Sequence, residues 1–300
     1  MNEFSQLKAL HIEDGVIDTH AHIDGPEFDD DRDAMVERAL SAGVRRILVP
    51  AINVATMTTV LAVCRKYRGF AWPMAGLHPE EVKDDYKEAL AHIHDILDNV
   101  GYVTEEERRM GALQMADISP HEKGDKRATP PFIAIGEVGI DYYWSRDFAD
   151  EQLDAFERQV EWSIQTRLPL MIHCRKAQNE MVKILRKYAA DLPGGVFHCF
   201  TGNAHEAEEL LQFRGFMLGI GGVLTFKKSN LPATLAAAVP LQRIVLETDS
   251  PYMAPVPMRG KRNESAFVRY VLDKLAECYN VGCRHVAEVT NANVRAVFGI

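Results

Sequence analysis

A single-domain (β/α)8 barrel of the α/β class is the fold this sequence predicts, and three observations predict it. Short apolar, β-rich runs alternate with longer amphipathic segments, as βα units around a parallel sheet require. Eight such runs occur, at 15–20, 45–51, 70–77, 132–139, 168–174, 195–200, 216–222 and 243–249, the number that closes a barrel. The first run leads into His20-Ala21-His22 instead of the glycine-rich turn of an open, doubly wound sheet.

The segments between the runs read as helices. Within 151–167, Leu153, Phe156, Val160 and Ile164 recur at helical spacing and predict a core-facing stripe. Most connections are of ordinary length, but the third is not. Between Leu77 and Phe132 lies a long polar stretch, expected to begin as the third helix and to continue as an insertion or loop over about 95–131. Because it starts from the active-site face, the sequence leaves two readings open. It covers the mouth, restricts substrates or contacts another subunit, or it is a tolerated surface loop. Neither an internal repeat nor a low-complexity tract divides the chain, so 1–300 is read as one domain.

Composition narrows the function classes. The chain of 300 residues is 47% hydrophobic and 26% charged, which suits an ordinary globular domain with a large core. Its 34 Lys and Arg against 43 Asp and Glu give a net charge of −9. Such a field repels polyanions and argues against broad binding of duplex DNA, though not against a local basic rim. The N-terminus lacks the pattern of a signal peptide, and no apolar run approaches membrane-spanning length. Five cysteines do not read as a disulfide framework. The expectation is a cytoplasmic protein with no membrane association and no obligate protein partner.

The chemistry is concentrated at the strand ends. Of eleven histidines, five (His20, His22, His78, His173 and His198) fall at the C-terminal ends of expected strands, where barrel active sites form. Glu137 and Asp249 end two further runs. In His20-Ala21-His22 the two rings share one face, because residues i and i+2 of a strand do. Imidazoles and carboxylates together suit zinc, manganese or magnesium. Glu137, from the middle of the strand order, is the candidate to bridge two metals about 3.5–4 Å apart. Asp249 is expected to hold a metal and accept the proton of the attacking water. Alternation points Cys174 and Cys199 away from the face of the adjacent histidines, as packing residues.

The motifs DTHAHID, GLHP, IGEVGIDYY, IHCRKA, FHCFTGN, LETDSPYMAP and RGKRNES occur in that order and are followed by TNANVRAVFGI at the C-terminus. This series resembles the TatD family of metal-dependent deoxyribonucleases, within the amidohydrolase-like barrels, from about residue 15 onward. The resemblance implies a TIM barrel with two divalent cations that hydrolyses phosphodiester bonds, in the manner of a 3′–5′ exonuclease. It implies that His20, His22 and Asp249 hold one metal and His173 and His198 the other, with Glu137 shared. Magnesium or manganese is expected in action, with zinc possible. Ser265 stands where the family usually has proline; serine can cap a helix start instead, so little functional consequence is expected.

DNA ends or single-stranded DNA are the expected substrate, since a narrow metal mouth accepts an end more readily than intact duplex. Arg175, His78 and Arg262 are the candidate substrate-binding residues, with Arg259 and Lys261 completing a basic cluster beside Arg262. A structural ion pair is the rival reading for Arg175, and a solvated face for the cluster. Asp24, Asp141 and Glu247 are candidates to orient metal-binding histidines. Tyr142, Tyr143 and Trp144 either stack on bases or pack beneath their loop. The glycines of LGIGG read as room for close approach of the seventh strand more than as a phosphate loop. The alternative function is hydrolysis of a small amide, lactone or amine on the same barrel, because fold does not fix chemistry.

Overall fold

The computed structural model describes residues 15–109 and 129–300. Eight parallel strands form one sheet in sequential order: β1 (Val16–Asp18), β2 (Val44–Pro50), β3 (Ala71–Ala75), β4 (Ala134–Asp141), β5 (Leu170–Arg175), β6 (Gly195–Phe197), β7 (Phe216–Ile220) and β8 (Ile244–Leu246). The residues after β8 return to those after β1. Thr19 N–H donates to Leu246 O at 3.0 Å, Asp249 N–H to His20 O at 2.9 Å and His22 N–H to Ser250 O at 2.8 Å. Eight strands thus curl into a nearly closed barrel, as the repeating βα pattern predicts.

Helices α1 (Arg32–Ser41), α2 (Val54–Lys66), α3 (Tyr86–Val100), α5 (Ala149–Thr166), α6 (Gln178–Lys187), α7 (Ala204–Leu210), α8 (Leu231–Ala238) and α9 (Val268–Tyr279) lie between or after the strands, and α10 (Cys283–Phe298) ends the chain. Strand residues alternate between two cores. Ile47, Val49, Ile172 and Leu246 face the helices, in one continuous core with Phe156 and Val160 of α5. Leu48, Met171, Val196 and Val245 fill the barrel interior, floored by Val294, Val297 and Phe298 of α10 and by Ile300. Both faces of each strand are buried, which is why the runs read as continuously apolar. No helix among the described residues is long and apolar enough to cross a membrane.

The long third connection leaves β3 at the mouth, as expected, but the described flanks of its extra residues lie at the opposite face. α3 carries 15 residues, about 22 Å of helix, enough to bring the chain back to the N-terminal ends of the strands. A short helix α4 (Glu105–Arg109) follows there. Arg108 donates to Val297 O in α10 at 3.4 Å and also to Arg167 O, just before β5. On the return, Thr129 accepts from Arg65 at the end of α2 at 2.7 Å, and Phe132 N–H donates to Gly101 O at 3.0 Å. Both described flanks therefore sit on the floor of the barrel, because the helix is crossed before the extra residues begin. Residues 110–128, most of the expected insertion, lie outside the described residues.

Candidate metal centre

Continuing inward along each strand from the interior core leads to the polar cluster at the mouth. Met171 precedes His173 by two on β5, Val196 precedes His198 across the end of β6, and Val245 precedes Glu247 and Asp249 beyond β8. Period-two alternation puts each set on one face. β4 departs from it. Its pairing with β5 shifts register between Ile135 and Val138, both of which face the helices. The shift turns Glu137 to the barrel interior, where strict alternation from Ile135 would have sent it outward. Asp249 has φ of 56° and Cys199 of 49°, left-handed backbone that non-glycine residues rarely adopt. Both follow the end of regular pairing, where the chain turns sharply at the mouth.

Glu137 is the centre of the arrangement. Its Oε2 lies 3.2 Å from His20 Nε2 and 3.5 Å from His22 Nε2, and both rings lie 3.8 Å from Asp249 Oδ1. Its Oε1 faces the other way, 3.0 Å from His173 Nδ1, 3.0 Å from His198 Nε2 and 3.3 Å from His78 Nε2. One carboxylate thus divides its two oxygens between two groups of nitrogen and oxygen donors. Ligands bonded to a cation at about 2.1 Å lie about 3.0–3.4 Å from one another, so these separations suit coordination. The donor set also fits: imidazoles and carboxylates converge in a buried place with no lysine or arginine among them.

Electrostatics follow from burial and neighbours. Burial holds His20 well below the usual histidine range, the nearby His198 adding to the effect, and burial lowers His22 as well. Both are neutral near pH 7 and keep a lone pair for a metal. His198 is raised well above its usual value despite its burial, because Glu137 and Glu247 face it. For Glu137, burial favours the protonated form, but His78, His20 and His198 outweigh it and keep the carboxylate ionised. Burial pushes Asp249 up to about 7, against the opposing influence of His198.

A second layer of carboxylates holds these rings. Asp141 Oδ2 lies 2.8 Å from His173 Nε2, and Glu247 Oε1 lies 3.5 Å from His198 Nδ1. Asp24, the third candidate, accepts instead from Thr59 Oγ1 at 2.7 Å and acts on His22 only through its charge. Sequence reasoning missed Asp18. Fully buried in β1, it accepts from Thr248 N–H at 2.9 Å and Thr248 Oγ1 at 2.7 Å, fixing the start of the His20 segment to the end of the barrel. Its spacing from His20 was the available signal, since residues two apart on one strand share a face.

A cavity of about 690 Å³ opens over the cluster, and Arg175, Trp144, Tyr252 and Met253 form part of its wall. His78 belongs to the same cavity; its Nδ1 accepts the Glu80 N–H at 3.1 Å, which places its ring proton on Nε2, facing the centre. Arg262 is placed elsewhere. Its guanidinium pairs with both oxygens of Asp31 at 2.7 and 2.8 Å and donates to Glu27 O at 2.6 Å, outside the cavity's lining. Arg259 stacks 4.0 Å over Phe226. Cys174 packs against the helix-facing core, as expected, whereas Cys199 lines the cavity; it follows β6, where its left-handed turn ends the alternation. At Gly219 a Cβ would lie 2.2 Å from Glu247 Oε2, so this glycine makes room beneath the site, as its strand position suggested.

Comparison with known proteins agrees with this geometry. Residues 17–299 match the model of the TatD related DNase family. YabD of Bacillus subtilis (strain 168), named an uncharacterized metal-dependent hydrolase, is 33% identical over 95% of this chain and 99% of its own. A Pectobacterium atrosepticum protein named 3′-5′ ssDNA/RNA exonuclease TatD is 28% identical over 94% of this chain and 99% of its own. The crystal structure of the TatD homologue YJJV from Escherichia coli K12 superposes with a TM-score of 0.79 at 26% identity, covering 95% of this chain and 98% of that one. A two-sided Glu137 ringed by strand-end histidines, carried on a sequence that matches the family from β1 to the last helix, makes this chain a metal-dependent hydrolase of the TatD related DNase family.

Proposed function

We propose that this protein is a 3′–5′ exonuclease that cleaves the phosphodiester bonds of single-stranded DNA from its ends. The observation that carries the reading is the division of Glu137 between His20, His22 and Asp249 on one side and His173 and His198 on the other. These residues are assigned as the ligands of two divalent cations, with Glu137 shared. Cations bound there, magnesium or manganese in action and zinc accepted by the same donors, supply Lewis acidity to the phosphate and acidify water. Asp249 accepts the proton of the attacking water, a task suited to a carboxyl whose affinity for protons is raised by burial. Attack forms a bond from the water oxygen to phosphorus and breaks the bond from phosphorus to the 3′ oxygen, releasing a 5′-nucleotide.

Arg175 and the Nε2–H of His78 supply donors to the phosphate oxygens from the cavity wall. Arg262 has no place in this scheme, because Asp31 already occupies its fork. The net charge of −9 disfavours tracking along duplex and is compatible with a site that engages one strand end. The relatives named as ssDNA/RNA exonucleases support this substrate class.

The deciding experiment follows nucleotide release from 3′-labelled single-stranded DNA and RNA, by wild type and Asp249→Ala, with magnesium, manganese, zinc or EDTA. Metal-dependent release of 5′-nucleotides that Asp249→Ala abolishes is the expected result. A folded, metal-loaded protein that cleaves small amides or lactones but no nucleic acid would move the assignment to the alternative hydrolase class.

A further inference from the structure

Beyond the end of β4 three aromatic residues follow one another. Tyr142 turns inward and is buried, whereas Tyr143 and Trp144 are 48% and 72% exposed. Large exposed rings that adjoin a cavity mark a surface meant to be covered. The two rings meet edge to face with centroids 4.7 Å apart. Across them lies Arg175, its guanidinium 3.5 Å from the centroid of Tyr143 and 5.6 Å from that of Trp144. Among the described residues no carboxylate comes within ion-pair distance of Arg175, so the ring contacts hold the guanidinium while its N–H groups stay available to an anion.

Two links set this platform in register with the cluster. Asp141 accepts the Tyr143 backbone N–H on Oδ1 at 2.8 Å, while its Oδ2 faces His173 Nε2 at 2.8 Å. Arg175 follows His173 by two residues on β5 and pairs with Asp141 across the β4–β5 ladder. Side chains two apart on a strand point the same way with their Cα atoms about 7 Å apart, so the guanidinium is within one nucleotide's reach of the cluster. Trp144 and Arg175 share the cavity wall with His173 and Glu137.

We propose that Tyr143, Trp144 and Arg175 form a subsite for one nucleotide of a single strand, the rings stacking on the base beside the scissile bond and Arg175 holding its phosphate. This inference rests on the nuclease reading above. An open aromatic face beside an uncommitted cation is the combination by which single strands are bound, whereas a base within duplex has no free face to offer. The subsite therefore selects single strands and unpaired ends, in a protein whose overall charge gives it no general hold on nucleic acid.

The test compares wild type with Trp144→Ala, Tyr143→Ala and Trp144→Phe on a labelled single-stranded oligonucleotide and on methyl p-nitrophenyl phosphate, a phosphodiester without a nucleobase. KM for the oligonucleotide is expected to rise about 5- to 100-fold in the alanine variants, with Trp144→Phe retaining most of the affinity. Turnover of the small ester by Trp144→Ala and Trp144→Phe stays within about twofold. Binding is read separately from cleavage by titrating oligothymidylate in EDTA and following tryptophan emission. Trp72 is buried and Trp162 only partly exposed, so quenching is expected in wild type and absent in Trp144→Phe. Oligonucleotide cleavage with an unchanged KM in Trp144→Ala overturns the subsite and leaves the nuclease assignment intact. A wild type that cleaves no nucleic acid, and whose emission no oligonucleotide moves, overturns both.

Discussion

His173 is held from both sides of its ring: Asp141 Oδ2 lies 2.8 Å from Nε2, and Nδ1 lies 3.0 Å from Glu137 Oε1. The Asp141 contact places the ring proton on Nε2 and leaves the Nδ1 lone pair aimed at the cluster. Asp141→Asn keeps the size of this group and removes its charge. Metal affinity, followed by manganese titration, is expected to fall about 10- to 100-fold, with activity recovering at saturating metal. Unchanged affinity would remove Asp141 from the metal centre.

Asp249 sits beside both His20 and His22, with its backbone in the left-handed region. Asp249→Asn retains the shape but no longer accepts a proton. The expected loss in turnover is about 100- to 10,000-fold, with the melting temperature of the metal-free protein little changed. Near-wild-type turnover in the variant would place the proton acceptor elsewhere.

Asp31 binds Arg262 and Arg38, and these bonds, the one to Arg262 foremost, lower its pKa from 3.8 to about 2. A carboxyl depressed by folding stabilises the native state fully above its unfolded value and loses that contribution as pH falls through the folded value. The excess stability of wild type over Asp31→Asn, measured by urea unfolding, is therefore expected to be constant above about pH 5 and to shrink from there toward pH 2. High salt should reduce it too, since the pair is partly exposed. A difference that stays the same at every pH would show that the ion pair is not its source.

Gly219 lies under the acidic residue that faces His198. A Cβ there would meet Glu247 Oε2 at 2.2 Å and His198 Cα at 3.1 Å. Gly219→Ala is expected to cost about 1–3 kcal/mol of stability in urea unfolding and to weaken metal binding, as Glu247 moves off His198. A variant as stable and as tightly metal-binding as wild type would mean that β7 shifts freely at this point.

The strand-end histidines were legible because of where they occur. Alternation of apolar runs with helical stripes is a local property, and it located the eight strands and put His20, His22, His173 and His198 at one end of the barrel. The same local rule misled at Cys199, where a left-handed residue ends the alternation, and it missed the register shift that turns Glu137 inward. Such irregularities depend on pairing with the neighbouring strand, which no single segment encodes.

Sequence by itself determined the barrel, the kinds of candidate ligand and the mouth at which they gather, since each follows from periodicity and residue chemistry within a short stretch. Tertiary structure alone decided which charges are available for function. Arg262 looked as accessible as Arg175, yet it is bound to Asp31, 231 residues away in the chain, whereas Arg175 lies on aromatic rings at the cavity wall. It also carried the flanks of the third connection to the floor of the barrel, through the full length of α3. Pairing of charges and the course of a connection depend on contacts made only when the barrel closes, which brings distant residues to a few ångströms and leaves near neighbours on opposite faces.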